Sequence, residues 1–328
     1  MKNILKKIQR KTENIKRFGI IYEWDNLLLK FGFIKNRSLK SIQEIENFFR
    51  ALKKEQYPEY LKEWYQKESG RELNLDNPTR FTEKIQWLKL YDSTSIKTKL
   101  ADKYLVRDWV AEKIGEDHLI PLLGVWDSFD EIDFDTLPNQ FVLKCTHDSG
   151  GLVICKDKSQ LDLKKTEEKI NRCLNSNYYW HGREWPYKNV KPRIIAEQYM
   201  VDESGVELKD YKIFNFGGEP KLIQVDFNRF VKHTKNIYDT EWNYLNVAIN
   251  YPTDPTVNIK KPECLEKMLE MAKELSAGLP FLRTDFYVIN GKIYFGELTF
   301  SPGSGFMKMT PESFDLEMGS WIPLPDKK

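Results

Sequence analysis

Residues 283–305, RTDFYVINGKIYFGELTFSPGSG, read as two strands joined by a tight turn. Asn290-Gly291 supplies the positive-φ residues that a two-residue hairpin favours. The two-residue strand period puts Arg283, Asp285 and Tyr287 on one face of the first strand. It puts Glu297 and Thr299 together on the second, which Ser301-Pro302-Gly303 ends. Such a hairpin presents an arginine, two carboxylates and a hydroxyl to one cavity. Converging carboxylates suit a hard divalent cation such as Mg²⁺, which takes oxygen ligands and keeps substrate phosphates in its shell. A solvated hairpin with scattered polar residues is the competing reading, since charged strand faces are common.

At 328 residues the chain is long enough for two or three packed subdomains. Its charge is nearly balanced, at +2, which argues against a polyanion-binding molecule and gives no reason to expect a nucleic-acid partner. The balance is uneven along the chain: residues 1–40 hold eleven Lys or Arg against three acids. That opening is suited to peripheral contact with an anionic membrane surface, each cation adding roughly 1 kcal/mol there. A solvated terminus is the alternative. No apolar run is long enough for a transmembrane helix, and no secretory signal is expected. The four cysteines, Cys145, Cys155, Cys173 and Cys264, form no CxxC pair, so free thiols in a reducing cytoplasm are expected.

Residues 1–70 read as a helical, basic extension, with Ile45, Phe48, Phe49 and Leu52 and then Tyr60, Leu61 and Trp64 at helical spacing. Residues 71–140 form an α/β part. There Thr82 is a candidate cap for a helix burying Ile85 and Leu88, and a second helix runs from about Ser95 or Lys99 to Ile114, ending at Gly115. Residues 141–200 open with FVLKCTHDSGGLVIC, two β-rich runs around His147-Asp148-Ser149-Gly150-Gly151. A strand lysine followed by a glycine loop can place an ammonium and backbone N–H groups around phosphate oxygens. The same residues also make an ordinary hairpin turn. The aromatic stretch NYYWHGREWPYKN is a candidate acceptor or lid element, or a loop clamped by its own rings, and RIIAEQYM is a buried strand. Residues 201–328 hold a hairpin turned at Gly217-Gly218, with Asp210, Lys212 and Gln224 as its polar points. An amphipathic helix over 261–277 leads from there to the opening stretch.

From about Asn77 to Gly305 the order of these signals resembles the ATP-grasp superfamily, and within it the TupA-like branch, typified by a teichuronopeptide-biosynthesis protein. The resemblance implies an α+β fold in which two subdomains clamp ATP, here with an N-terminal helical extension. LADKY matches the family's early Asp-Lys, making Lys103 a phosphate contact. FVLKCTHDSGG resembles the strand lysine and flexible flap, giving Lys144 and Ser149, Gly150 and Gly151. IIAEQYM is similar to the hinge strand that holds adenine, giving Glu197, Gln198, Tyr199 and Met200. RTDFY and GELTFSPGSG resemble the metal strands, so Asp285 and Glu297 would bind Mg²⁺. Arg283 would face the reacting phosphoryl and acyl oxygens, and Asp210 and Lys212 would lie by the γ-phosphate or acceptor. One departure stands out: the family pattern is Glu-x-Asn, and this chain has Thr299 in the asparagine position, which leaves one or two metal ions open.

The implied activity is ATP-dependent ligation of a carboxylate to an amine through an acylphosphate. The implied substrates are a uronic-acid sugar or acidic amino acid of a bacterial surface polysaccharide, handled in the cytoplasm or at the inner membrane face. Two other readings compete. Asp133-Phe134-Asp135 spells the DxD of a glycosyltransferase, and a nucleotide-binding protein without catalysis would carry the same ATP motifs. Acceptor choice is expected in the loops 177–190 and 228–256.

Overall fold

The computed structural model describes residues 49–202, 208–227, 234–257 and 259–327. The chain divides into two compact units, Met1–Tyr57 and Pro58–Lys328, and the sheets and the clefts between their side chains belong to the second. The basic opening and the helical reading of Ile45 and Phe48 lie outside the described residues, as does 228–233 of the expected acceptor loop.

The elements run α1 (Tyr57–Ser69), α2 (Phe81–Tyr91), α3 (Ser95–Ala101), α4 (Val106–Ile114), β1 (Leu122–Trp126), β2 (Phe141–Cys145) and β3 (Leu152–Cys155). Next come α5 (Leu163–Leu174), the short α6 (Tyr179–Gly182), β4 (Ile194–Gln198), β5 (Asp210–Phe216), β6 (Glu219–Phe227), β7 (Thr234–Tyr238), β8 (Tyr244–Leu245) and β9 (Ala248–Ile249). The chain closes with α7 (Leu265–Ser276), β10 (Phe281–Ile289), β11 (Lys292–Thr299), β12 (Met309–Thr310) and α8 (Ser313–Ser320). Two main sheets result, one ordered β1-β4-β2-β3 and the other β11-β10-β5-β6-β7-β8.

Alternation decides which face of each sheet is buried. In β2, Phe141, Leu143 and Cys145 enter a core with Ile194 and Ala196 of β4 and Ile170 of α5. Lys144 points the other way, as does Glu197 of β4. In the larger sheet Tyr211, Ile213, Ile223, Val225, Leu282 and Phe286 meet Leu265, Met268, Met271 and Leu275 of α7. Each fully buried side chain of this kind contributes roughly 1.5–3 kcal/mol, which is why α7 stays on that face. The opposite face changes character along the strands. Phe214, Phe216 and Phe281 form an aromatic cluster with Phe81 of α2, whereas Asp210, Lys212, Asp285 and Tyr287 line a cleft.

β10 and β11 pair with Arg283 opposite Thr299 and Asp285 opposite Glu297, and the register then slips so that Phe286 faces Phe295. Gly296 is the extra residue of this bulge. A Cβ there would lie 3.0 Å from the Asp285 carbonyl oxygen and 3.2 Å from the Tyr287 ring, so the two backbones close up only around glycine. Because of the slip, Ile293, Phe295 and Leu298 all enter one core while Glu297 faces the cleft.

Two helix expectations are corrected. α2 starts at Phe81, so Thr82 lies inside its first turn and does not cap it. Asp315 of α8 takes the Thr82 backbone N–H (3.0 Å) and hydroxyl (2.9 Å), while Glu83 accepts the Thr79 and Arg80 N–H groups. The single helix from Ser95 or Lys99 to Ile114 is two, α3 and α4. Asp102 breaks it by accepting the Tyr104 and Leu105 N–H groups, a side-chain acceptor competing with helix continuation.

Candidate active site

A cleft of about 300 Å³ lies between the two sheets. From the small sheet come Lys144 of β2 and Glu197 of β4, and between β2 and β3 the loop Asp148 to Gly151; Lys103 and Arg107 come from the α3–α4 region. The large sheet contributes Asp210, Lys212, Asp285 and Glu297. Ten of the sequence-derived candidates thus line one space: Lys103, Lys144, Ser149, Gly150, Gly151, Glu197, Asp210, Lys212, Asp285 and Glu297. Arg283 and Thr299 instead line an adjoining cavity, of about 460 Å³, which shares Asp148, Ser149 and Glu297 with the first. Gln198, at the exposed end of β4, and Tyr199 and Met200 beyond it are not among the residues lining either space.

The glycine loop is tied at its ends and open at its tip. Cys145 N–H donates to the Gly151 carbonyl (2.7 Å), and Gly151 N–H donates to Asp148 Oδ1 (3.0 Å). Lys103 Nζ donates to the Asp148 carbonyl. A Cβ on Gly151 would meet Cys145 Cβ and Sγ at 2.6 Å, whereas one on Gly150 would meet nothing within 4 Å. The base of the loop is therefore packed, and its tip is free to approach a ligand.

Glu197 is bracketed by two cations. Lys144 Nζ lies 2.5 Å from Oε2 and Arg107 Nη1 3.2 Å from Oε1, and Arg107 also donates to the Ile120 carbonyl (2.9 Å). The sequence reading missed Arg107, since only the fold brings α4 beside β4.

Asp285 holds the centre of the large-sheet side. Arg283 donates to it through Nε (2.6 Å) and Nη2 (2.7 Å), and Lys212 Nζ donates at 2.6 Å. Arg283 Nη2 also reaches Glu297 Oε1 (2.9 Å) and Thr299 Oγ1 (3.0 Å), and Lys212 reaches Asp210 at 3.0 Å. Burial works against each charge, but the pairing prevails. Arg283 and Lys212 are held above their ordinary values by the carboxylates, and Asp285 is held below its own by Arg283 and Lys212.

This donor set fits a hard cation. All of its ligand atoms are oxygens, and a carboxylate offers about four acceptor sites. Asp285 spends three on its two cations, leaving room for one more partner. Glu297, its side chain 46% exposed, is the more available ligand, and the Thr299 hydroxyl lies 3.1 Å from Glu297 Oε1. Asp133 and Asp135 lie in a turn away from both cavities, with Asp135 N–H donating to Asp133 Oδ1 at 3.0 Å.

Against the known families, the TupA-like ATPgrasp family matches residues 83–323, most of the chain. The chain belongs to that family. The TupA-like match covers the glycine loop, the β4 strand and the β10–β11 hairpin together, and the protein has the ATP-grasp fold. No curated protein matches the chain. Among solved structures it is similar to D-alanine–D-alanine ligase from Bacillus anthracis complexed with ATP, at 15% identity over 63% of this chain and 57% of that one, TM-score 0.37. It is also similar to an L-amino acid ligase from Bacillus licheniformis, at 16% identity over 68% of this chain and 49% of that one, TM-score 0.41. A third is N5-carboxyaminoimidazole synthetase from Staphylococcus aureus complexed with ADP, at 13% identity, 69% and 53% coverage and TM-score 0.40. The chain spans less than two thirds of the length of each of these three.

Proposed function

We propose that this protein is an ATP-dependent ligase joining a carboxylate to an amine. The observation that carries the reading is the convergence, in one cleft of a TupA-like ATP-grasp chain, of Lys103, Lys144 and the open glycine loop on one side with Asp285 and Glu297 on the other. A free carboxylate resists attack by an amine because its charge repels the nucleophile and oxide is a poor leaving group. Phosphoryl transfer to it creates an activated acyl group, and the protein's part is positioning and charge neutralisation. Lys144 exchanges Glu197 for phosphate oxygens, and Lys103 with the 149–151 backbone closes over them. Asp285, Glu297 and Thr299 would hold Mg²⁺, which when bound would neutralise phosphate charge. Arg283, fixed by Asp285 and Glu297, presents its remaining edge to the reacting oxygens. Glu197 takes the nucleoside end, whereas Gln198 to Met200, which line neither cavity, would meet it only if the cleft closed past β4.

The substrate class we assign is a uronic acid or acidic amino acid of a bacterial surface polymer. We place the reaction in the cytoplasm or at the inner membrane face, since four free thiols suit a reducing compartment. The test is purified protein with Mg·ATP and a panel of uronate and amino-acid pairs, read by ADP release. Turnover with at least one pair, lost in Lys144→Ala and Glu297→Gln, is expected. No turnover with any pair, or activity surviving both substitutions, refutes the ligase. Thermal stabilisation by UDP-sugars and not by ATP points to a glycosyltransferase instead.

A further inference from the structure

The cavity beside Arg283 is walled by a stretch that the ligase chemistry leaves without a part. The aromatic loop after α5 is folded down rather than open. Arg183, in the left-handed conformation (φ 54°), is buried with the rings of Tyr60, Tyr179 and Trp180 at 5.4 to 5.7 Å. Asn177 Nδ2 donates to the Lys188 carbonyl at 3.1 Å and closes the loop on itself. The clamped loop turns Tyr178, Glu184 and Tyr187 into the cavity wall, with Trp64 and Ser304 also lining it.

Glu184 is the unusual member. It is 3% exposed, and among the described residues its Oε1 meets no hydrogen-bond donor. Among the described residues the Ser304 side chain engages the carboxylate, and Lys89, whose Nζ donates to the Ser304 carbonyl at 2.9 Å, acts on it through space. A buried carboxylate oxygen without a donor calls for an explanation, and a ligand is one that a cavity permits. The charge of the wall says which kind. Three carboxylates, Asp148, Glu184 and Glu297, face a single lining cation, Arg283, and that cation is already bound to Asp285 and Glu297. Ring faces add attraction for a cation and none for an anion.

We propose that Glu184 is a specificity-determining residue, and that this cavity receives the amine substrate as an ammonium ion paired with Glu184 among the rings of Trp64, Tyr178 and Tyr187. The assignment rests on the ligase reading for the word substrate, and on the cavity alone for the preference for an ammonium. For the reaction the ammonium first gives one proton to the Glu184 carboxylate, and the neutral amine then forms the amide bond as phosphate leaves the activated acyl group.

The experiment uses the full chain at about pH 8, above the value of about 7 to which burial lifts Glu184, and ligand-observed NMR with n-butylammonium, n-butanol, butyrate and glucose as probes, with binding of a non-hydrolysable ATP analogue titrated separately. The expected result is butylammonium binding at least about tenfold tighter than the other three probes. Glu184→Gln, which keeps the shape and a partner for Ser304, lowers it about tenfold, the loss of one charge-assisted contact. Gly182→Ala is a second route, because its Cβ would sit 2.9 Å from Glu184 Oε1 and 2.6 Å from Ser304 Oγ and so displace the carboxylate. Both variants should bind the ATP analogue as the wild type does. Equal binding of the four probes, preference for glucose or butyrate, or an unchanged ammonium affinity in Glu184→Gln overturns the proposal. Ammonium binding that depends on Glu184 in a protein that fails to bind nucleotide upholds this site and removes the ligase reading instead.

Discussion

Replacing Asp285 by asparagine tests the arrangement at the centre of the site. The carboxylate accepts three short hydrogen bonds from two buried cations, Arg283 and Lys212, whose side chains are 13% and 10% exposed. Asparagine fills the same space but turns an NH₂ group toward a cation and removes the charge. Breaking a buried pair by removing one partner costs about 3–5 kcal/mol, because a charge is left uncompensated. Here compensation is partial: Arg283 keeps Glu297 at 2.9 Å and Lys212 keeps Asp210 at 3.0 Å. The low end applies, about 3 kcal/mol, which for a chain of this size corresponds to a fall in Tm of roughly 4 °C. Urea denaturation, with far-UV circular dichroism to confirm the fold, measures it. A cycle with Lys212→Met is the sharper assay. With Lys212 gone, Asp285→Asn should cost at least about 1 kcal/mol less, since the two residues are in contact. A loss below about 0.5 kcal/mol in the single variant, or strict additivity in the cycle, would refute the reasoning.

Three further outcomes are expected from the geometry. Lys144→Ala should weaken binding of a non-hydrolysable Mg·ATP analogue by about ten- to a hundredfold in calorimetry, the worth of one charged hydrogen bond, while Arg107 still holds Glu197. Gly151→Ala should destabilise by roughly 1–3 kcal/mol because its Cβ meets the buried Cys145 side chain, whereas Gly150→Ala should change stability by less than about 0.5 kcal/mol, both read by denaturant midpoint. Burial pushes Glu184 from an ordinary 4.5 up to about 7, partly countered by Lys89, and lowers Lys89 from 10.5 to about 7. Between pH 4.5 and 7 the folded chain therefore holds the Glu184 proton more tightly than the unfolded chain does, so stability falls as pH rises through that window. Above about 7 the Lys89 contribution reverses the trend. Denaturation at pH 5 and pH 7 should show wild type losing roughly 1–3 kcal/mol that Glu184→Gln does not lose; equal slopes would contradict it.

What the sequence made legible was local. Asn290-Gly291, the Gly217-Gly218 turn and the alternation of β2 and β10 announce strands and hairpins from neighbours in the chain, and the motif order carried the family. The Asp285–Glu297 pairing was not legible in this way: plain register from the Asn290-Gly291 turn sets Asp285 opposite Gly296, and the bulge moves Glu297 into that place. What stayed hidden depends on distant partners. Arg107 meets Glu197 across ninety residues, and the α2 start is held by Asp315 rather than by Thr82. Glu184 reads as one polar residue in an aromatic loop, because only burial distinguishes a cavity wall from a solvated turn. The break between α3 and α4 was nearer to hand, since an aspartate that can accept two following N–H groups is a signal the helical spacing overrode.

The bulge at Gly296 has a consequence for how this hairpin tolerates change. On β11 the inward positions are odd up to Phe295 and even at Leu298, so glycine acts as a parity switch within a single strand. A regular ladder running through all of these residues would turn Leu298 to the cleft and Glu297 and Thr299 into the apolar core beneath α7, so the unpaired residue is what keeps those two side chains outward. Deleting Gly296 would take that unpaired residue out and close the strand into a regular ladder with Glu297, Leu298 and Thr299 facing as they do now. The strand is therefore more sensitive to a side chain at 296, whose Cβ would lie 3.0 Å from the Asp285 carbonyl oxygen, than to the loss of the residue.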